Sequence, residues 1–380
     1  MIAYPENELL NGDVVTQARE EFSNSKNSPE RFEKIKQAYP SKLYTPNFFI
    51  AIALGLLTVL AFSFTTFLFG LLASVDFSTG FAVLCIFMTL LSYVSLEWVV
   101  KTKMYFNAGV DNALMFLVLS FIAGFFLSFF ENPSWIVMYG VLMLISILLS
   151  IRFVDAFMAT VSAAFFFILC FLCFLKSGGN SMIYFSSMMI LIIGGMYFLL
   201  NKIKKHVTFM YEKCINALTI FLLISFYAAG NYWVINELGL PEFSHSIPGT
   251  FGWIFWAFTF AIPVVYIFYG IVKKDLLHIR TGIVLVIMMV LTYKYYYTIL
   301  PVEIEMLFIG TFLIVLCYFL IKWLRPELYG YTSEMISAKP AWRNIEALVI
   351  AETMGGSEAP PKDNLFSGGS SGGGGASGEF

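Results

Sequence analysis

The chain has 380 residues, 59% hydrophobic and 18% aromatic, with only 13% charged and a mean hydropathy of +0.78. A soluble domain carries roughly a quarter charged residues, so a water-soluble globule is excluded. The net charge of −2 provides no basic footprint for nucleic acid. What remains is a protein of the lipid bilayer.

Residues 1–46 are polar and mixed in charge, and are expected to form a cytoplasmic segment. The pattern predicts a helix over Asp13–Ser23 and a second one N-capped by Ser28, with Pro29 in its first turn, running to Ala38 and closed by Pro40. No basic, short apolar and small-residue sequence precedes the first long apolar run, so a removable signal peptide is not expected. The first span itself would direct insertion.

Charge-poor windows follow over Phe48–Leu72, Thr79–Val99, Gly109–Phe130, Ser134–Ile151, Val154–Leu175, Met182–Leu200, Ile215–Ile235, Phe251–Val272, Ile279–Ile299 and Glu303–Trp323. A hydrocarbon core about 30 Å thick takes about 20 apolar residues in helix. A helix also satisfies its own backbone hydrogen bonds in lipid. The expected fold is therefore all-α: a polytopic integral membrane helix bundle of about ten transmembrane helices over residues 47–323. A cytoplasmic segment, 324–354, with a short helix at Asn344–Thr353, and a Gly/Ser-rich tail, 355–380, complete the chain.

With ten crossings and a cytoplasmic N-terminus, only Lys176 and Lys294 of the 23 Lys and Arg residues fall on the far side, as the positive-inside rule prefers. Both termini are then cytoplasmic. The weak point is the short reversal at Ile151–Ala156. A continuous helix there would flip everything downstream and spread the basic residues about evenly over the two faces, so the hairpin is preferred, with Arg152 and Asp155 at the cytoplasmic interface.

Chemical motifs are sparse. His206, His245 and His278 lie outside all predicted spans and outside any His-Glu-x-x-His pattern, so no metal is expected. Gly375-Ala-Ser-Gly378 echoes the rhomboid-protease motif, but in a tail rather than at a buried helix start. Cys170 and Cys173 have redox spacing on an apolar stretch. They read as small packing residues, as do Cys85, Cys214 and Cys317. Glu97 and Asp111 lie near Lys101 and Lys103 at helix ends, where interfacial pairing accounts for them. No cofactor and no catalytic residue are expected, and the chain reads as a non-enzyme.

The outer face collects Asp76, Glu131, Glu237, Glu242, His245, Glu303 and Glu305 with almost no cations. The exception is Lys294, embedded in Tyr293-Lys294-Tyr295-Tyr296-Tyr297. If a polar site exists, the sequence places it among Asn231, Lys294, Glu303 and Glu305. Such a mouth would suit a cation or amine; the plainer reading is the acidic half of the positive-inside pattern.

Packing signals are clearer. Ser120, Gly124 and Ser128 form a small-residue stripe, as do Ala51 and Gly55. Pro263 removes a backbone donor inside the eighth span and is expected to kink it. Inverted five-helix repeats would pair Gly124 with Pro263, but no convincing residue-level repeat is seen.

The polar N-terminal segment, the run of helices, and the sequences Arg280-Thr-Gly-Ile-Val-Leu-Val, Tyr293-Lys-Tyr-Tyr-Tyr, Gly310-Thr-Phe-Leu-Ile and Lys322-Trp-Leu-Arg325 resemble bacterial multi-pass membrane proteins of unknown function. The ending Gly-Ala-Ser-Gly-Glu-Phe is similar to tails on other bacterial membrane proteins, often of the Bacteroidetes kind. The resemblance implies a bacterial inner (cytoplasmic) membrane and no catalytic residues. The expected function is a non-enzymatic envelope scaffold or sensor. Its partners would be the lipid bilayer and a cytoplasmic protein bound through the termini. The alternative is a transporter of a small or lipidic substrate.

Overall fold

The computed structural model describes residues 2–22, 28–72, 79–178, 182–204, 208–237 and 249–297, together with Ile304, Leu307, Gly310, Thr311, Ile314, Val315, Tyr318, Phe319 and Lys322. Its helices are α1 (Glu6–Phe22), α2 (Ser28–Ala38), α3 (Phe48–Leu72), α4 (Thr79–Lys103), α5 (Val110–Phe129), α6 (Trp135–Phe153), α7 (Ala156–Lys176), α8 (Met182–Lys204), α9 (Glu212–Gly230), α10 (Tyr232–Glu237), α11 (Gly249–Lys273) and α12 (Leu276–Tyr296). A 3₁₀ turn, Phe209–Tyr211, leads into α9. Among the described residues, nine helices are long and apolar enough to cross a membrane: α3 to α9, α11 and α12. The chain is an all-α, multi-pass membrane protein. The predicted tenth span lies mostly outside the described residues, although the nine described positions from Ile304 to Lys322 are helical.

Two compact units are distinguished. The first holds residues 1–10 and 41–289, the second 11–40 and the residues from Val290 onward. In the second, α2 matches its predicted limits, and the Asn11 side chain donates to the Pro40 carbonyl at 2.8 Å.

The core of the first unit lies where α4, α5, α6 and the starts of α7 and α9 meet, around Leu96, Val100, Leu114, Met115, Phe153 and Met158. The reversal predicted at Ile151–Ala156 is present. Val154 adopts the left-handed conformation (φ 54°, ψ 41°), and Asp155 N-caps α7 by accepting from the Met158 amide at 2.6 Å. The rings of Tyr139 and Phe165, on opposite arms, lie 5.8 Å apart, so α6 and α7 form a hairpin.

Helix α3 buries none of its residues and presents Phe48, Leu56, Leu60 and Phe64 outward, as a helix facing lipid tails does. It meets the bundle at the predicted Ala51–Gly55 stripe. A Cβ on Gly109, where φ is +87°, would fall 1.9 Å from the Ala51 carbonyl oxygen. Close backbone approach between helices in lipid selects small residues in this way. On the other stripe, Gly124 faces the Cys85 sulfur, where a Cβ would sit 3.1 Å away, but Ser120 is exposed.

Three expectations shift. Helix α1 starts at Glu6 rather than Asp13, because Pro5 opens it and the amides of Glu8 and Leu9 donate back to the Pro5 carbonyl. The seventh span ends at Gly230 rather than Ile235, because Asn231 caps a separate short helix, α10. Helix α12 begins at Leu276, and this draws His278 inside a membrane span, against the expectation that no histidine lies there.

Gly109→Ala should abolish or strongly reduce folded protein, since both its positive φ and the Ala51 carbonyl forbid a side chain. Gly140→Ala, with nothing within 4 Å of the added carbon, should be neutral or stabilise by up to about 1 kcal/mol. Thermal melts of the two variants in detergent check this contrast.

Candidate functional site

Glu97, Lys101, Asp111, Arg152 and Asp155 of the first unit lie where α4 and α6 end and α5 and α7 begin. Glu97, with its side chain 14% exposed, is the hub. Nε and Nη2 of Arg152 both donate to its Oε1 at 2.5 Å, the Tyr93 hydroxyl donates to the same oxygen at 3.1 Å, and the Lys101 ammonium lies 2.9 Å from Oε2. The pairing of Glu97 with Lys101 matches the sequence expectation at helical spacing. The stronger bond to Arg152 joins α4 to the α6–α7 hairpin. Asp111 behaves differently: it is buried and accepts from the Ala108 amide at 2.9 Å, so it organises the loop before α5.

The N-terminal segment closes over this cluster. The Ala3 amide donates to the Arg152 carbonyl at 2.8 Å, and the Tyr4 hydroxyl donates to the Tyr105 carbonyl at 2.7 Å. Tyr4 is 4% exposed and meets Phe106 edge-on, while Leu9 joins the same core. Burial first, then the Asp111 and Asp155 carboxylates, raises the Tyr4 phenol above its ordinary range. Glu8 accepts from the Lys42 amide at 2.7 Å, and Tyr44 forms a parallel bridge with Tyr105. The start of the chain is thereby stitched to the loop between α4 and α5.

A second polar cluster surrounds His278, which is 4% exposed. Its Nδ1 lies 2.8 Å from Asp275 Oδ2, and its Nε2 lies 2.8 Å from the Tyr197 hydroxyl. Tyr266 and Tyr269 of α11 place their rings 6.1 and 4.9 Å from the imidazole. Asp275 also accepts from the Leu277 amide at 2.9 Å. Sequence reasoning missed this cluster because it set the start of the span at Ile279. The signal was present in Asp275, an N-cap residue type just ahead of an apolar run.

The sequence-predicted outer site is dispersed in its roles. Asn231, 2% exposed, accepts at Oδ1 from the Trp233 and Val234 amides at 2.9 and 3.2 Å and donates to the Tyr227 hydroxyl at 2.9 Å. It is the N-cap of α10. Lys294 lies in the last turn of α12, half-buried, beside the Tyr293–Tyr297 stack. Asn231 belongs to the first unit and Lys294 to the second. Glu303 and Glu305 lie outside the described residues.

Among the described residues, no three His, Cys, Asp or Glu side chains gather so that they could hold a metal ion. Cys170 packs against the Met189–Ile193–Leu222 cluster, and Cys173 is exposed. Compared with protein families, with curated proteins and with solved structures, the chain matches none. What stands is a multi-pass helical membrane protein, with no family or homologue identified.

Asp155 lies between two spans and is 4% exposed. Burial lifts its carboxyl from 3.8 to about 6; the Met158 amide opposes the shift and the Asp111 charge adds to it. A carboxyl raised on folding binds its proton more tightly in the folded state. Its stabilisation is therefore complete below about pH 4 and lost as pH rises through about 6. Asp155→Asn keeps the capping oxygen but removes the titration. Melting temperature measured against pH should lose, in this variant, a downward component between about pH 4 and 6, worth on the order of 3 kcal/mol.

Proposed function

We propose that this chain is a non-enzymatic scaffold or sensor of a bacterial cytoplasmic membrane. Both termini lie on the cytoplasmic side, where its N-terminal segment meets a protein partner. The observation that supports this reading most strongly is the insertion of Tyr4 and Leu9 into the core at the charged ends of the membrane helices. A segment held by the Arg152 carbonyl at one side and the Tyr105 carbonyl at the other transmits a pull or a release directly to α4, α6 and their loops.

The buried hydroxyls within the spans support the same reading. Ser92 donates to the Met88 carbonyl at 2.7 Å, Ser146 to Met143 at 2.9 Å, and Thr219 to Ile215 at 2.8 Å. Each is satisfied inside its own helix and needs neither water nor substrate. A transporter would turn such groups toward a polar path. The transporter alternative, for a small or lipidic substrate, rests on the sequence expectation of outer polar residues at Asn231, Lys294, Glu303 and Glu305.

Single cysteines placed in a chain whose own cysteines are replaced, then treated with a membrane-impermeant maleimide, test both readings. Lys204→Cys should label only from the cytoplasmic side and Glu242→Cys only from the outside, while Ser146→Cys and Thr219→Cys stay unlabelled from either side. Labelling of the two buried positions would favour transport. A reversed pattern at the first two would overturn the orientation.

A further inference from the structure

The two polar clusters correspond to each other. Tyr93, Glu97, Lys101 and Asn112-Ala113-Leu114 recur in the same register as Tyr197, Asn201, Lys205 and Asn216-Ala217-Leu218. After one added residue, Ser120-Phe121 recurs as Ser225-Phe226. The register holds in burial as well: Ala82 and Ser186, Cys85 and Met189, Val118 and Leu222, and Leu119 and Leu223 are buried at matching places.

Packing repeats in the same order. Helix α3 packs on α5 as α7 does on α9, α4 on α5 as α8 does on α9, and α5 on α6 as α9 does on α11. The α6–α7 and α11–α12 turns are alike in detail. Val154 and Lys274 both have φ 54°, and the aspartate after each donates its amide five residues back, to Ser150 at 3.3 Å and to Gly270 at 2.8 Å. Each of these aspartates caps the helix that follows. Gly270 and Gly282 let α11 and α12 close, since an added Cβ would lie 2.6 Å from Ile279 and 2.7 Å from Ile267.

The two copies differ in what the α4 or α8 tyrosine bonds. In the first, Tyr93 donates to Glu97, which pairs with Arg152, three residues before the capping aspartate. In the second it is His278, three residues after the capping aspartate, bonded to Tyr197. Glu97 is replaced by the neutral Asn201, and the balancing carboxylate is Asp275 itself. A fixed ion pair has been exchanged for a histidine hydrogen-bonded between a tyrosine and an aspartate.

We infer that the chain contains two same-way-up copies of one four-helix unit, and that the Tyr197–His278–Asp275 cluster is a proton-binding site standing where the first copy holds a permanent ion pair. In the neutral imidazole, Nδ1–H donates to Asp275 and Nε2 accepts from the Tyr197 hydroxyl. A proton taken up from water goes to Nε2, which then donates to the Tyr197 oxygen. The hydroxyl hydrogen of Tyr197 then turns away from the ring. No covalent bond changes beyond that one proton transfer. Asp275, with its side chain 34% exposed, is the open edge through which water reaches the ring. Among the described residues, the groups facing the imidazole are Tyr197 from α8, Tyr266 and Tyr269 from α11 and Asp275 from the turn. Protonation thus rewires the bonds between α8 and the α11–α12 hairpin.

Nitrogen-15 NMR of the full-length, histidine-labelled protein in detergent tests the site, with the His278 signals assigned by His278→Gln. The expected result is a reversible titration of the ring in the folded protein, with the neutral form protonated at Nδ1 and the transition displaced by Asp275→Asn. A ring held in one protonation state at every pH where the protein is folded would overturn the site. So would a neutral form protonated at Nε2. The equivalence of the copies is tested separately by combining Asn201→Glu with His278→Arg, which gives the second cluster a carboxylate–guanidinium pair of the kind the first one holds. The pair should melt higher than either single variant and lose the pH dependence that this cluster contributes to the wild-type melt; additive effects of the two changes would overturn the equivalence.

Discussion

The ion pair between Glu97 and Arg152 is the constraint on which the first unit depends. A carboxylate near the end of an apolar helix is costly in the bilayer unless it is paired, and Glu97 is largely covered. Its partner comes from the end of α6, 55 positions away in the chain. Meeting that partner fixes where α6 stops, and hence where the chain turns back into α7. The Arg152 carbonyl, held in place by the same side chain's anchoring, receives the Ala3 amide. One pairing therefore orients a hairpin, seats the N-terminal segment and brings Asp155 under Tyr4.

The second half of the first unit solves the same problem with other groups. Asn201 places no charge where Glu97 does, so no guanidinium is required. His278 instead draws its compensation from the aspartate that caps its own helix. One cluster has the character of a rivet and the other that of a latch. On the proposed reading as a scaffold or sensor, such a division would let a fixed half hold the N-terminal segment while the other half responded to its surroundings.

Much of the fold was legible from local chemistry. Apolar windows of span length become helices because the bilayer admits little else, and α3 coincides with its predicted window. The hairpin at Val154 could be read from the distribution of Lys and Arg. Boundaries failed where a single capping side chain decided them: Asn231 ended one span early, and Asp275 started another early enough to enclose His278. The Glu97–Arg152 bond could not be read because nothing local joins residues so far apart. Tyr4 could not be read because a polar N-terminal segment gives no sign that Tyr4 and Leu9 join the core of the membrane helices. The repeat was visible in Asn112-Ala-Leu and Asn216-Ala-Leu, but a division into two five-helix halves sets these triplets out of register.

A double-mutant cycle between Glu97 and Arg152, using Glu97→Gln and Arg152→Gln and read as unfolding free energy in detergent, tests the central pairing most directly. With Arg152 about one-third exposed, a coupling of about 1 to 3 kcal/mol is predicted. Protease accessibility of the N-terminal segment should rise in both single variants. Additivity within about 0.5 kcal/mol, with the segment still protected, would contradict the account.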